Sequence, residues 1–144
     1  MIIVSSSKSK FFSLEKKIKR ILSETLKILK KKNSAVSVFL VKDEEIRKLN
    51  KQFRRKNKTT NVLSFSETAS FPHPELGVPK SAPKLLGEIY LAPDYIGKNK
   101  EKVSLLVIHG LLHLFGYTHK GRRDRIEMEK KEQEILQKIQ KHVL

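Results

Sequence analysis

Apolar residues recur along this chain at two periods, and the switches between them outline its elements. Ile2 to Val4 is a short β-branched run that predicts a first strand. From Ser13, read as an N-cap, Leu14, Ile18, Ile21, Leu22, Leu26 and Leu29 follow at helical spacing and predict a helix to about Lys32. Lys30, Lys31 and Lys32 would then close that helix where cations suit its dipole. Asn33-Ser34 breaks the pattern, and Val36 to Val41 reads as a largely buried strand. Asp43 opens a second helix with Ile46, Leu49, Asn50 and Phe53 on one side, and Thr60 to Ser66 interleaves polar and apolar residues as a strand does.

Glu67 to Leu85 holds Pro72, Pro74, Pro79 and Pro83 without any periodic pattern, which predicts a loop joining two strands. Leu86 to Leu91 is the next strand, and Pro93-Asp94 opens a short helix or turn. A strongly apolar helix is expected from about Lys102 to Phe115. A last one runs from about Arg122 to Val143, burying Met128, Ile135, Ile139 and Val143 with Leu136 beside them.

At 144 residues the pattern fits a single domain, residues 1–144, with one core. Charge changes the picture more. Lys+Arg 31 against Asp+Glu 15 leaves a formal +16, which points toward a polyanion, above all nucleic acid. A lysine-rich proteome is the plainer source of the same excess. Seven cations (Arg47, Lys48, Lys51, Arg54, Arg55, Lys56 and Lys58) fall between Arg47 and Lys58 with no acid among them, as a phosphate-contacting surface would have. A solvated helix end is the alternative. With no cysteine, neither a disulfide framework nor a thiolate metal site is possible. The N-terminal apolar run is too short for a signal peptide and no stretch reaches a membrane span, so a cytoplasmic protein is expected.

The candidate chemistry lies in His109-Gly110-Leu111-Leu112-His113-Leu114-Phe115-Gly116-Tyr117-Thr118-His119. Residues four apart share a helix face, so His109 and His113 are placed to grip one ion. Gly116 suits a left-handed helix cap, after which the chain can return His119 as a third ligand. Three nitrogen ligands leave a position open on a tetrahedral ion, the arrangement of a catalytic zinc. His73 in the proline-rich loop and His142 near the C-terminus lack a ligand spacing and are expected to be inert. The spacing H-x3-H-x2-G-x2-H matches the metzincin protease motif, but the glutamate that serves those enzymes as general base is here Gly110. Peptide hydrolysis by that route lacks its base, and a metallopeptidase would need one from elsewhere, Glu88 or Glu67. A zinc-bound hydroxide attacking a phosphodiester, with arginines stabilising the phosphoryl charge, suits the basic balance better.

The same segment resembles the H-G-x-L-H-L-x-G-Y-D-H signature of the YbeY family of bacterial endoribonucleases, also described as rRNA maturation factors, in His109, Gly110, Leu112, His113, Leu114, Gly116, Tyr117 and His119. Leu49-Asn50 with Phe53-Arg54 and then Thr60-Asn61-Val62-Leu63-Ser64-Phe65 is similar to its L-N-x-x-Y-R and T-D-V-L-S-F. Leu86-Gly87-Glu88-Ile89 is similar to its L-G-D-I strand. The resemblance implies an α+β fold, a small mixed sheet of about four strands packed with helices, with the metal at the end of the histidine-bearing helix. It implies that His109, His113 and His119 hold one zinc ion, and that Arg54 and His109 serve RNA cleavage. The implied activity is single-strand-specific endoribonuclease action on rRNA precursor, in 16S 3′-end maturation and ribosome quality control, with the small ribosomal subunit as partner and no membrane. The competing expectation is a non-catalytic ribosome-assembly factor whose metal is structural. Thr118 and Asn61 replace two family aspartates, and Glu88 replaces a third conservatively.

Overall fold

Four strands and five helices carry these patterns in a computed structural model that describes residues 1–67 and 84–142, with side chains to residue 140. In chain order they are β1 (Ile2–Ser6), α1 (Phe12–Ile28), β2 (Ser34–Leu40), α2 (Asp43–Arg54), β3 (Val62–Ser66), β4 (Lys84–Leu91), α3 (Pro93–Lys98), α4 (Val103–Leu114) and α5 (Arg122–His142). The strands form one sheet in the order β1-β2-β4-β3. β1 and β4 run parallel to β2, and β3 runs antiparallel to β4. The fold is therefore α+β with a mixed four-stranded sheet, as expected. The proline-rich segment and His73 lie outside the described residues, as do Val143 and the His142 side chain.

The period of two along the strands decides which face each residue covers. Val36, Val38 and Leu40 of β2 and Ile89 and Leu91 of β4 are buried on one face, together with α1 and α4. On the other face Leu63 packs with Ile46 of α2, and Phe39, Phe65 and Tyr90 pack around them. α4 is the element everything else surrounds. It lies on β3 and β4 with α1 and α5 against its remaining sides, and Val107, Ile108, Leu111 and Leu112 are wholly buried. Each such side chain contributes roughly 1.5–3 kcal/mol through burial alone, so this helix has little freedom to move.

The strands begin or end up to two residues from the periodic reading, and both ends of α1 differ from it. α1 starts at Phe12, not after Ser13, because buried Phe11 closes a short 3₁₀ turn immediately before it. It also ends at Ile28, so Lys30 to Lys32 lie beyond it. Lys30 takes a left-handed conformation at φ 58°, and the Lys30 and Lys31 amides donate back to the carbonyls of Lys27 and Leu26. Glycine is the usual residue at such a cap, and with none here the stop carried no sequence signal.

Candidate metal centre

His109 and His113 stand one turn apart on α4, and their Nε2 atoms are 3.0 Å from one another. Two ligands about 2.0–2.1 Å from one tetrahedral ion are separated by about 3.3 Å, so this pair is already spaced for a shared metal. Gly116, at φ 97°, ends the helix. Its amide donates to the His113 carbonyl and the Tyr117 amide to the Leu112 carbonyl, the two bonds of a Schellman turn. The chain then reverses and sets the His119 ring with its centroid 5.7 Å from that of His109 and 4.9 Å from that of His113. One ligand atom from each of the three residues lies within 4.8 Å of the others. The three-histidine group could hold a metal ion.

The far side of each helical imidazole is also engaged. His113 Nδ1 donates to the Tyr117 carbonyl at 2.9 Å. His109 Nδ1 donates to Glu132 Oε1 of α5 at 2.5 Å. Both contacts fix the tautomer that leaves Nε2 free to ligate, and a carboxylate behind a ligating imidazole raises its basicity. Burial first, and then charge on His109, hold the His113 imidazole below its ordinary titration range, while the Tyr117 contact opposes them. That keeps it neutral, as a ligand must be. These donors, their spacing and their orientation fit a borderline-soft divalent ion such as zinc.

Glu132 escaped the sequence reading. A buried carboxylate is costly unless paired, and Glu132 is buried at 7% relative exposure, yet it falls in register with Met128, Ile135 and Ile139. A charged residue on the buried stripe of a helix, with the histidine segment just upstream, was the available signal.

Gly110 has a physical reason as well. A Cβ there would meet Ile89 Cγ2 and Ser64 Oγ, each at 3.1 Å. α4 can lie this close to the sheet only because the residue after His109 has no side chain. The position a metzincin gives to its catalytic glutamate faces the core in this fold. Glu88, considered above as a base from elsewhere, lies on the opposite face of the sheet, paired with Phe65 and accepting a 3.4 Å bond from the Tyr90 hydroxyl. It is no base for this site.

Arg54, the last residue of α2, lies against β3 on the Phe65 side of the sheet. Its Nη2 donates to the Ser64 carbonyl at 2.8 Å, and the Ser64 hydroxyl donates to the Gly110 carbonyl at 3.0 Å. Ser64 thus links the guanidinium to the Gly110 carbonyl, and the guanidinium lies over the Phe65 ring at 4.9 Å. Asn61 is engaged elsewhere, accepting from the Val62 amide and donating to Glu101 just ahead of α4. Thr118 makes no side-chain hydrogen bond among the described residues. It borders an open depression of about 340 Å³ with Phe115, Gly116, Tyr117, Asp124 and Glu127.

Comparison with known proteins places this geometry in a family. Residues 2–140 match the sequence profile of a family described as Endoribonuclease YbeY. The chain is 37% identical over 119 residues to the Endoribonuclease YbeY of Neorickettsia sennetsu, covering 77% of each chain. It is 32% identical over 134 residues to that of Aquifex aeolicus, covering 87% of this chain and 83% of the relative. The solution structure of TM1509 from Thermotoga maritima has a similar fold, with a TM-score of 0.56 and 25% identity over 99% of this chain and 94% of that one. Among the described residues no helix is long and apolar enough to cross a membrane. The chain belongs to the YbeY endoribonuclease family.

Proposed function

We propose that this endoribonuclease cleaves single-stranded rRNA precursor in the cytoplasm, at the 3′ end of 16S rRNA on the small ribosomal subunit, with one zinc ion held by His109, His113 and His119. The observation that carries the reading is the convergence of the three imidazoles, two of them held by partners behind the ring, on a helix packed against β3, the strand that Arg54 bonds. When bound, the ion supplies Lewis-acid charge and a water activated near neutral pH. Arg54 faces solvent with donors to spare beyond its Ser64 contact, and a guanidinium matches the paired oxygens of a phosphodiester. Its task is to hold the scissile phosphate and to offset charge as it develops on the phosphoryl oxygens. Glu132 holds His109 in its ligating orientation, and Tyr117 does the same for His113. The +16 balance draws the polyanionic substrate in from solution.

The reading is tested by following cleavage of a single-stranded 16S 3′-end precursor and a duplex of the same sequence. Metal-stripped, zinc-restored and Arg54→Ala proteins are compared side by side. Cleavage should require zinc, favour the single strand and fall by about 100-fold or more without Arg54. Cleavage that survives both chelation and His113→Ala would remove the metal from the mechanism.

A further inference from the structure

Phe53 is 52% exposed, an unusual state for a large apolar ring beside a packed sheet. The ring is nonetheless held in place. It meets Phe65 edge-to-face with centroids 5.3 Å apart, Phe65 meets Tyr90 at 5.8 Å, and Tyr90 stacks on Phe39 at 5.0 Å. The row crosses the sheet face opposite α4 and ends in solvent at Phe53. Its neighbours in sequence are cationic. Lys51, Arg54, Arg55 and Lys56 are all exposed, and none forms an ion pair with an acid among the described residues.

We propose that Phe53 is a base-stacking platform for single-stranded RNA: its exposed face receives a nucleobase while Arg54, the next residue, holds the adjoining phosphate. This rests on the endoribonuclease reading and extends it from the scissile phosphate to a neighbouring nucleotide. Three features favour a nucleobase over an apolar protein partner. On α2 the ring is the one large apolar side chain left exposed among the described residues, and an apolar surface docking there would have to desolvate the cations of the helix end. A nucleotide brings the complementary pair, a flat π face and an anion, that a ring-plus-guanidinium surface recognises. Arg54 also joins the platform to β3, the strand on which α4 packs, lying over Phe65 and bonding the Ser64 carbonyl. Stacking tolerates any base, so the platform would grip single strands without reading sequence and would reject a duplex, whose bases are already stacked.

The chain contains no tryptophan, so Phe53→Trp places a single fluorescent reporter at the platform. The purified protein is mixed with a single-stranded oligoadenylate, or with an abasic ribose-phosphate oligomer of equal length and charge, and fluorescence is read on mixing, ahead of cleavage. Quenching is expected with the first oligomer and not with the second. Phe53→Ala and Phe53→Leu should both weaken oligoadenylate binding by about tenfold and leave abasic binding unchanged. Leucine keeps most of the apolar area, which separates loss of the aromatic face from loss of packing. Circular dichroism melting shows whether each variant is folded. Equal effects on both oligomers, no effect on either, or a change of oligomeric state on substitution would overturn the platform. If the wild-type protein cleaves the oligomer while Phe53→Ala binds it unimpaired, stacking fails and the endoribonuclease reading stands. A wild-type protein that neither binds nor cleaves the oligomer removes both.

Discussion

Glu132 of α5 accepts a 2.5 Å hydrogen bond from the Nδ1 of His109 of α4, so the two helices meet through a carboxylate–imidazole pair inside an otherwise apolar seam. Glu132→Gln preserves shape and removes the charge. The amide also allows the imidazole to flip its tautomer. Zinc affinity is expected to fall about 10- to 100-fold, measured by calorimetric competition against a chelator. An affinity within twofold of wild type would mean that the pair holds the helices together without serving the ligand.

Gly110 lies where two opposing effects can be weighed. Replacing a mid-helix glycine by alanine gains about 1 kcal/mol of helix propensity. The new methyl group, however, would press on Ile89 and Ser64 at 3.1 Å, and overpacking of this kind costs about 1–3 kcal/mol. The second effect should win. Urea denaturation of Gly110→Ala should show a lower midpoint with an unchanged slope, and Gly110→Glu should be worse and gain no peptidase activity. A stabilised Gly110→Ala would contradict the close approach of α4 to the sheet.

Gly116 is a conformational requirement, not a packing one, since a Cβ there would meet nothing within 4 Å. At φ 97° an L side chain is strained whatever the space. Gly116→Ala should cost about 1–2 kcal/mol and Gly116→Asn less, read from thermal melts of the metal-free protein. Zinc affinity should fall in the same order, because His119 follows this turn.

The lowered pKa of His113 sets a direction for acid sensitivity. An imidazole titrating below 6.5 in the folded protein binds fewer protons there than in the unfolded chain. Its contribution is therefore complete above pH 6.5 and is lost as pH falls below that value. For chelated protein, the urea midpoint should be flat above the window and should decline toward about pH 5. His113→Gln should flatten the decline; an unchanged slope in that variant would assign it to other groups. Restoring zinc at about 100 times its dissociation constant should add about 2.7 kcal/mol near neutral pH, a gain that shrinks on acidification as protons compete for the imidazoles.

The three-histidine cluster was legible because three constraints lay within eleven consecutive residues: helical spacing, a glycine at the turn, and a third histidine just past it. The strands and helices were legible from their periods. What escaped was set by contacts between distant segments. Glu132 lies 23 residues from His109, and its place on the buried stripe marks it as unusual without naming the partner it bonds. The Ser64–Gly110 contact spans 46 residues and explains a glycine that the sequence shows only as the absence of a glutamate. The left-handed caps at Lys30 and Arg55 use residues that seldom take that conformation, so both stops were silent. The aromatic row is assembled from α2 and three strands, and no single stretch of sequence displays it.

The backbone of Tyr117 serves two structures at once: its N–H closes the end of α4 on the Leu112 carbonyl, while its C=O receives His113 Nδ1. Helix termination and imidazole orientation thus share one backbone segment, two residues ahead of the third histidine. The segment should be permissive toward changes of side chain and intolerant of changes of length. A single residue inserted between Gly116 and His119 would have to give up the helix cap, the orientation of His113 or the arrival of His119. The spacing of this loop, more than its composition, is what natural variation in such chains is expected to preserve.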